Sequence, residues 1–335
     1  MTVPELSVVM VGRNDGYGGD FVGRLQTCLK TLAVGENLTG IAIEAVVVEW
    51  NPPSDHPSIS DLVPDQRPSS VRVVTVPPTW HDRLDNPGDL PLFEYLGKNV
   101  GVRRASAETI LVINPDVIVL PSVLTLARNR IVHDGAFVRI DRHDFRPPVP
   151  RHLSGEEVFA EALAGIFVNN RRPGSDGFVG GNPMIDPEAP VTSWPSSTPY
   201  PFEEEISPGL FLAREYHGVG QLHIGMPGDF LLASRATWHK VRGYWERTDT
   251  YTHLDTYLLA QLLGVGAPQA FAVAPYLILH EDHPRRMNGL ADSWPDVEAA
   301  CEELAQGARP LPNHAEWGFA CDTFPEVALG LPALV

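Results

Sequence analysis

Three places along the chain carry the residue types for metal-assisted group transfer. The first is Asn114-Pro115-Asp116, which ends the apolar run from Thr109 to Ile113. A carboxylate delivered at the C-terminal end of a strand, in a chain of α/β pattern, lies where nucleotides and metals usually bind. The same residue types also favour a plain turn. The second place is His280-Glu281-Asp282-His283, directly after the apolar run Tyr276 to Leu279. Imidazoles and carboxylates suit a divalent ion, and either histidine could ligate one whose other partner is Asp116. The spacing is not HExxH, which argues against a helix-borne zinc protease; polar residues capping a strand are the plain alternative. The third is Asp255, opening an otherwise apolar helix candidate from Leu254 to Leu263. An acid there stabilises the helix through its dipole. Beside a metal and a pyrophosphate it could equally take a proton from an attacking nucleophile.

The elements that must position these residues alternate regularly. Leu6 to Gly12 reads as a strand, about Phe21 to Leu32 as a helix, and the run ending at Glu49 and Trp50 as a second strand. Val71 to Val76 reads as a third strand, Leu92 to Ala105 as a helix, and Thr109 to Ile113 as a fourth strand. Val- and Ile-rich runs alternating with helices imply a largely parallel sheet whose ligand edge is the strand C-termini. That edge carries Asp15 after the first strand, Glu49 and Asn51 after the second, and Asn114 and Asp116 after the fourth. Ala136 to Asp141 is a further short strand. From about Phe145 to Gly220 the chain is rich in Pro, Gly, Ser and Glu, interrupted by one helix from Ser154 to Phe167 with a Ser154/Glu157 capping box. This stretch reads as an insertion over the sheet edge that shapes an acceptor pocket or acts as a lid. Regular structure resumes with a strand at Asp229 to Ala233, a helix stopping at Gly243, the Asp255 helix, and a strand from Phe271 to His280. A helix from Pro295 to Gln306 and an irregular, Pro-rich tail follow. The division is therefore 1–144 as a donor-binding half, 145–220 as insertion or lid, 221–290 as the acceptor and catalytic half of the same domain, and 291–335 as helix and tail.

Composition narrows the function classes. A net charge of -17 repels a phosphate backbone, so sequence-independent nucleic-acid binding is disfavoured. The arginine pairs Arg103-Arg104, Arg171-Arg172 and Arg285-Arg286 could each offset a small anion, or simply stay solvated. No apolar run approaches the roughly 20 residues that span a membrane. Only 3 cysteines occur, without CxxC spacing, and Glu5 stands where a signal peptide wants positive charge, so the expected setting is the reducing cytoplasm. Gly16, Gly18 and Gly19 suggest a dinucleotide fingerprint, but a GxGxxG starting at Gly16 needs glycine where Phe21 stands.

Four blocks in order, LSVVMVGRND, KNVGVRRASAETILVINPD, GDFLLASRATWHKVRGYWE and HLDTYLLAQLLGVG, resemble an inverting, metal-dependent nucleotide-sugar glycosyltransferase of the GT-A fold, similar to glycosyltransferase family 2. The resemblance implies an α/β, Rossmann-like GT-A architecture: a mostly parallel central sheet, flanking helices and a loop-rich acceptor-side insertion. It implies a nucleoside-diphosphate sugar donor near Gly12, Arg13, Asn14, Asp15, Glu49, Asn51, Lys98, Asn99, Asn114 and Asp116. It implies Mg²⁺ or Mn²⁺ on Asp116, which falls on the last acid of the D-x-D motif, with His280 or His283 as a further ligand. Asp255 falls on the aspartate of the E-D motif, the general base. Arg139, Arg142, Gly228 and Asp229 are the acceptor- or anion-side candidates; the two arginines could bind a planar anion or pair with Asp141 and Asp144.

Two departures stand out. Asn114 replaces the first acid of D-x-D, and Leu254 replaces the glutamate before Asp255. The expected partners are the sugar nucleotide and a small soluble acceptor, alcohol or thiol, as in specialised metabolism such as antibiotic biosynthesis. Neither nucleic acid nor membrane is expected, and homo-oligomerisation is left open. Two other readings compete: a non-catalytic sugar-nucleotide or glycan-binding protein on the same scaffold, motivated by Asn114 and Leu254, and a sugar nucleotidyltransferase, for which the Gly-rich, Lys-containing N-terminal loop is missing.

Overall fold

Strand β1 (Leu6–Gly12) and strand β2 (Ile43–Trp50) are buried along their whole length. Such mostly apolar runs, interrupted here by buried Ser7, Glu44 and Glu49, form when both faces of a sheet are covered. Successive β1 residues divide between two cores. Val9 and Val11 face α3 (Glu94–Arg104) and α8 (Leu254–Gly264), while Val8 and Met10 face α1 (Phe21–Thr39). The computed structural model describes residues 3–140, 142–169, 204–213, 227–250, 252–284, 293–309 and 311–330.

The remaining strands are β3 (Ser70–Val76), β4 (Thr109–Ile113), β5 (Val117–Val119), β6 (Phe137–Ile140), β7 (Arg142–Phe145), β8 (Ile166–Asn169), β9 (Glu204–Ser207), β10 (Leu210–Ala213), β11 (Phe230–Ser234), β12 (Gln269–Ala272), β13 (Ile278–Glu281) and β14 (Glu326–Gly330). The remaining helices are α2 (Pro78–His81), α4 (Pro121–Leu124), α5 (Arg130–His133), α6 (Gly155–Ala164), α7 (Arg235–Val241) and α9 (Trp294–Ala305). A 10-stranded sheet runs in the order β14-β3-β2-β1-β4-β11-β6-β12-β10-β9, and a 4-stranded sheet in the order β5-β13-β7-β8. In the larger sheet, β14, β11 and β10 run against all the other strands, so the sheet is mostly parallel and the α/β class holds.

Four local expectations change. Helix α1 continues to Thr39 because Ala33, Val34 and Gly35 are still buried, and it stops at left-handed Gly40. The run Phe271 to His280 is two strands in two sheets: Pro275 has no N–H to give a ladder, Tyr276 N–H turns back to Val273 O at 2.9 Å, and β13 restarts in the smaller sheet. The tail is not wholly irregular, since β14 pairs antiparallel with β3 and Glu326 binds Arg72 at 2.7 Å. Within 145–220, the Ser154 capping box forms as expected on α6, but β8 joins the smaller sheet while β9 and β10 extend the larger one. Residues 170–203 and 214–220, the bulk of the expected lid, lie outside the described residues. No helix among the described residues is long and apolar enough to cross a membrane.

Helix α3 approaches β1 through glycine. A Cβ on Gly101 would lie 2.4 Å from Val9 Cγ1 and 3.2 Å from Val48 Cγ2. Gly101→Ala is therefore expected to lower unfolding free energy by about 1–3 kcal/mol through overpacking, read from urea denaturation. An unchanged midpoint would show that α3 can retreat without cost.

Candidate active site

Strands β1, β2 and β4 run parallel and end at one edge, which gathers Asp15, Asn51, Asn114 and Asp116. Strand β11 runs against β4 with Phe230 opposite Ile113, so its N-terminal flank, Gly228-Asp229, arrives at that same edge. In the smaller sheet β13 places His280 opposite Val117, the residue after Asp116. Chain direction thus assembles three distant segments.

Asp116, His280 and His283 each offer one ligand atom, and these atoms all lie within 4.8 Å of one another. His283 Nε2 is 2.9 Å and His280 Nε2 3.8 Å from Asp116 Oδ2. Both rings are held from behind: His280 Nδ1 meets Asp144 Oδ1 at 2.8 Å and His283 Nδ1 meets Pro284 O at 2.9 Å. A carbonyl or an ionised carboxylate only accepts, so each Nδ1 carries the proton, and a neutral ring turns its Nε2 lone pair toward Asp116. Lone pair facing carboxylate is a repulsive arrangement that a shared cation or an extra proton resolves. Asp116 Oδ1 is buried and, among the described residues, has no hydrogen-bond partner. With the extra proton in place of a cation the rings are charged: burial still pushes the Asp116 carboxyl up, but the His283 hydrogen bond and the charges of His280, His283 and Arg24 then outweigh it and hold it well below the usual range. Outer-shell partners that fix the tautomer, an orphaned oxygen and clustered ligand atoms together fit a divalent ion. The two acids of the HEDH run turn elsewhere: Glu281 binds Arg151 and Asp282 binds Arg146.

The glycines that fail as a dinucleotide fingerprint have a place here. Arg24 holds their loop by donating to Tyr17 O at 2.6 Å and Gly18 O at 3.1 Å. The Tyr17 ring meets His283 edge-on at 5.3 Å. Gly18 has φ +66°, and a Cβ there would lie 2.6 Å from His283 Nδ1 and 2.7 Å from Arg24 Nη2. Gly18→Ala combines left-handed strain with displacement of a ligand ring, so Mn²⁺ affinity is expected to fall about tenfold, at the lower end of what losing an outer-shell partner costs. Calorimetric titration of the purified chain reads this directly, and wild-type affinity would show that the loop does not support His283.

The expected donor-side residues fall into two groups. Arg13 ties the loops together through Asn51 O at 2.7 Å and Asp15 Oδ2 at 2.8 Å; Asn14 donates to Pro57 O at 3.0 Å and Asn51 to Pro91 O at 3.0 Å. These four lie at the strand ends, and Asn51 has a left-handed φ of 47°. Gly12 abuts the Phe21 ring, where a Cβ would be 2.2 Å from Cζ. Glu49, Lys98 and Asn99 are buried and engaged internally. Glu49 accepts from Ser58 Oγ at 2.9 Å and Ile59 N at 2.7 Å, closing the loop after β2. Asn99 exchanges hydrogen bonds of 2.8 Å with both backbone groups of Tyr244. Lys98 Nζ donates to Glu94 at 2.5 Å and to Gly228 O at 2.8 Å.

Asp255 is tied to the same turn. Its Oδ2 accepts from Gly228 N at 2.7 Å, and its Oδ1 from Thr256 N at 2.8 Å. The second bond serves the α8 N-terminus, where the preceding His253 gives no side-chain cap. Tyr95 and Tyr244 lie close enough for the Asp255 charge to add to burial in pushing both hydroxyls well above the ordinary phenol value.

On the remaining side Arg139 is buried in β6 and donates to Pro227 O at 3.3 Å. Arg142 lies between carboxylates rather than facing an open anion site, with Asp229 at 2.6 Å and Asp144 at 2.9 Å. Burial disfavours its charge, but those two acids outweigh burial and raise its pKa. Asp141 lies outside the described residues. Asn114 Nδ2 donates to Asp229 Oδ1 at 2.7 Å. Of the arginine pairs, Arg103 lies over Trp317 at 5.0 Å and Arg104 donates to Gly318 O, Phe319 O and Asp322 O, so this pair anchors the C-terminal segment. The other two pairs lie outside the described residues. Sequence reasoning missed Arg24 and Tyr17; it noticed Gly18 only as part of a fingerprint that does not fit, and Asp144 only as an arginine partner, which it is, not as the residue behind His280.

No protein-family model matches the chain, and no curated protein sequence matches it. Among solved structures it is similar to S. aureus TarS residues 1–349, with a TM-score of 0.45 and 12% identity over 82% of this chain and 60% of that one. The same TarS fragment in complex with UDP gives a TM-score of 0.44 at 12% identity over 83% of this chain and 60% of that one. In complex with UDP-GlcNAc it gives 0.41 at 10% identity over 84% of this chain and 59% of that one. The chain therefore spans about 60% of the length of the fragment it matches.

Proposed function

We propose that the protein transfers a sugar from a nucleoside-diphosphate sugar to a small acceptor, with inversion at the anomeric carbon. The observation that carries this reading is one sheet edge holding both a cation-ready Asp116/His280/His283 cluster and, through the Gly228 turn, the carboxylate of Asp255. Asp116, His280 and His283 would hold a divalent ion, which when bound would supply charge neutralisation for the departing diphosphate. Arg13, Asn14, Asp15 and Asn51 line the donor side, and Asn114, its amide nitrogen given to Asp229, offers its oxygen as an uncharged acceptor for a hydroxyl. Asp255 takes the proton from the acceptor O–H or S–H as its heteroatom forms a bond to the anomeric carbon. The bond from that carbon to the diphosphate oxygen breaks and its electrons leave with the diphosphate. Gly228 N–H aims the base, and Lys98 holds the next peptide of the turn through Gly228 O.

Incubation with a panel of nucleotide sugars, Mn²⁺ or Mg²⁺ and small alcohol and thiol acceptors tests this. Metal-dependent release of a nucleoside diphosphate, with a product of inverted anomeric configuration, is expected. Sugar-nucleotide binding without transfer or hydrolysis would favour the non-catalytic reading, and consumption of a nucleoside triphosphate would favour a nucleotidyltransferase.

A further inference from the structure

Arg142 is 6% exposed and its guanidinium joins two chains of contacts. On one side its Nε lies 2.9 Å from Asp144 Oδ1 and its Nη2 3.3 Å from Oδ2, and Asp144 Oδ1 accepts the proton of His280 Nδ1 at 2.8 Å. Asp144 and His280 are also register partners of the parallel β7–β13 pair, so the backbone sets them side by side. On the other side Nη1 donates to Asp229 Oδ2 at 2.6 Å, and Asp229 Oδ1 accepts from Asn114 Nδ2 at 2.7 Å. Asp229 follows Gly228, whose N–H binds Asp255 at 2.7 Å.

We propose that Arg142 is a positioning residue shared by both halves of the site, aiming His280 through Asp144 and holding the Gly228 turn against Asp255 through Asp229. The inference rests on the proposed roles of His280 and Asp255. It also gives a physical reason for the amide at position 114. A carboxylate there would meet Asp229 at hydrogen-bond distance, and one guanidinium already divided between two acids cannot neutralise a third; the amide donates instead. Bidentate engagement of Asp144 together with a third bond to Asp229 needs the planar fork of arginine, which lysine lacks.

The test is Mn²⁺ titration of the full chain without donor, by calorimetry, with melting temperature and helical circular dichroism as controls for folding. Arg142→Gln is expected to weaken Mn²⁺ binding about 10–100-fold, the range typical of losing an outer-shell partner, and Arg142→Lys to recover only part. A folded Arg142→Gln with Mn²⁺ affinity within about twofold of wild type overturns the inference. Asn114→Asp is expected to lower the melting temperature, and the exchange Asn114→Asp with Asp229→Asn to recover most of the loss. An exchange that recovers nothing also overturns it, and this pair decides the matter if Arg142→Gln does not fold. A wild-type chain that binds no Mn²⁺ would instead overturn the metal reading itself, an outcome distinct from unchanged affinity in the variant.

Discussion

Asp255→Asn is expected to lower turnover by about 10³-fold, within the range general bases contribute, while Mn²⁺ and nucleoside-diphosphate affinities stay within about twofold of wild type. The change is isosteric, and the amide oxygen can still accept from Gly228 N, now 2.7 Å from Oδ2. It cannot take a proton. One of the two backbone bonds to the carboxylate is lost, at a cost of about 1 kcal/mol in stability, too little to unfold a domain of this size. The separation of turnover from binding is what distinguishes a base from a helix-terminal acid. A variant that keeps wild-type turnover would leave Asp255 with its backbone bonds alone. If the acceptor is a thiol of low pKa, the loss shrinks, because a thiolate needs less help than an alcohol, so the size of the effect also reports on acceptor chemistry.

The second large effect concerns Asp116. Among the described residues it is the sole carboxylate in the cluster, and its Oδ1 has no hydrogen-bond partner there. Asp116→Asn leaves two imidazoles and a neutral amide, and Mn²⁺ affinity is expected to fall by more than about 100-fold, beyond what outer-shell losses cost. Turnover should fall in parallel without rescue by Mg²⁺. Two imidazoles and one carboxylate also form a nitrogen-rich set, which suits transition ions better than Mg²⁺. Mn²⁺ is therefore expected to bind the wild type more tightly than Mg²⁺ by on the order of tenfold or more. Titration of both ions into wild type and variant checks this. Equal affinity for the two ions would indicate a site dominated by carboxylates and water rather than by His280 and His283.

Much of this site was legible in local sequence. Asp116 stands at the end of an apolar run, and a strand followed by an acid is visible without knowing any partner. His280 and His283 are visible for the same reason, and so is Asp255 at the head of an apolar helix. What local sequence cannot carry is chain direction. Asp229 reaches Asn114 because β11 runs against β4, and Asp144 reaches His280 because β7 and β13 align in register. Gly18 failed as a motif because its partner is a histidine 265 positions later, not a phosphate at a fixed spacing. The same limit explains the elements misjudged. Apolar composition is continuous across Phe271 to His280, and only the loss of an N–H at Pro275 and the availability of a second sheet divide it. Strand β14 is mostly exposed, so its pairing with β3 leaves no apolar period to read. Buried polar residues such as Asn99 and Lys98 stood out as site candidates, yet their partners are internal: the Tyr244 backbone and Glu246 for Asn99, Glu94 and the Gly228 carbonyl for Lys98.

The central claim, that one sheet edge binds a nucleoside diphosphate beside a divalent ion that Asp116, His280 and His283 would hold, is tested most directly by thermal unfolding of the full chain with each common nucleoside diphosphate, with and without Mn²⁺. A ligand at a hundred times its dissociation constant stabilises the folded state by about 2.7 kcal/mol, which is readily seen as a rise in melting temperature. At least one nucleoside diphosphate is expected to raise the melting temperature in Mn²⁺, less or not at all without it, and not in Asp116→Asn. No shift from any nucleoside diphosphate in the presence of Mn²⁺ would contradict the account.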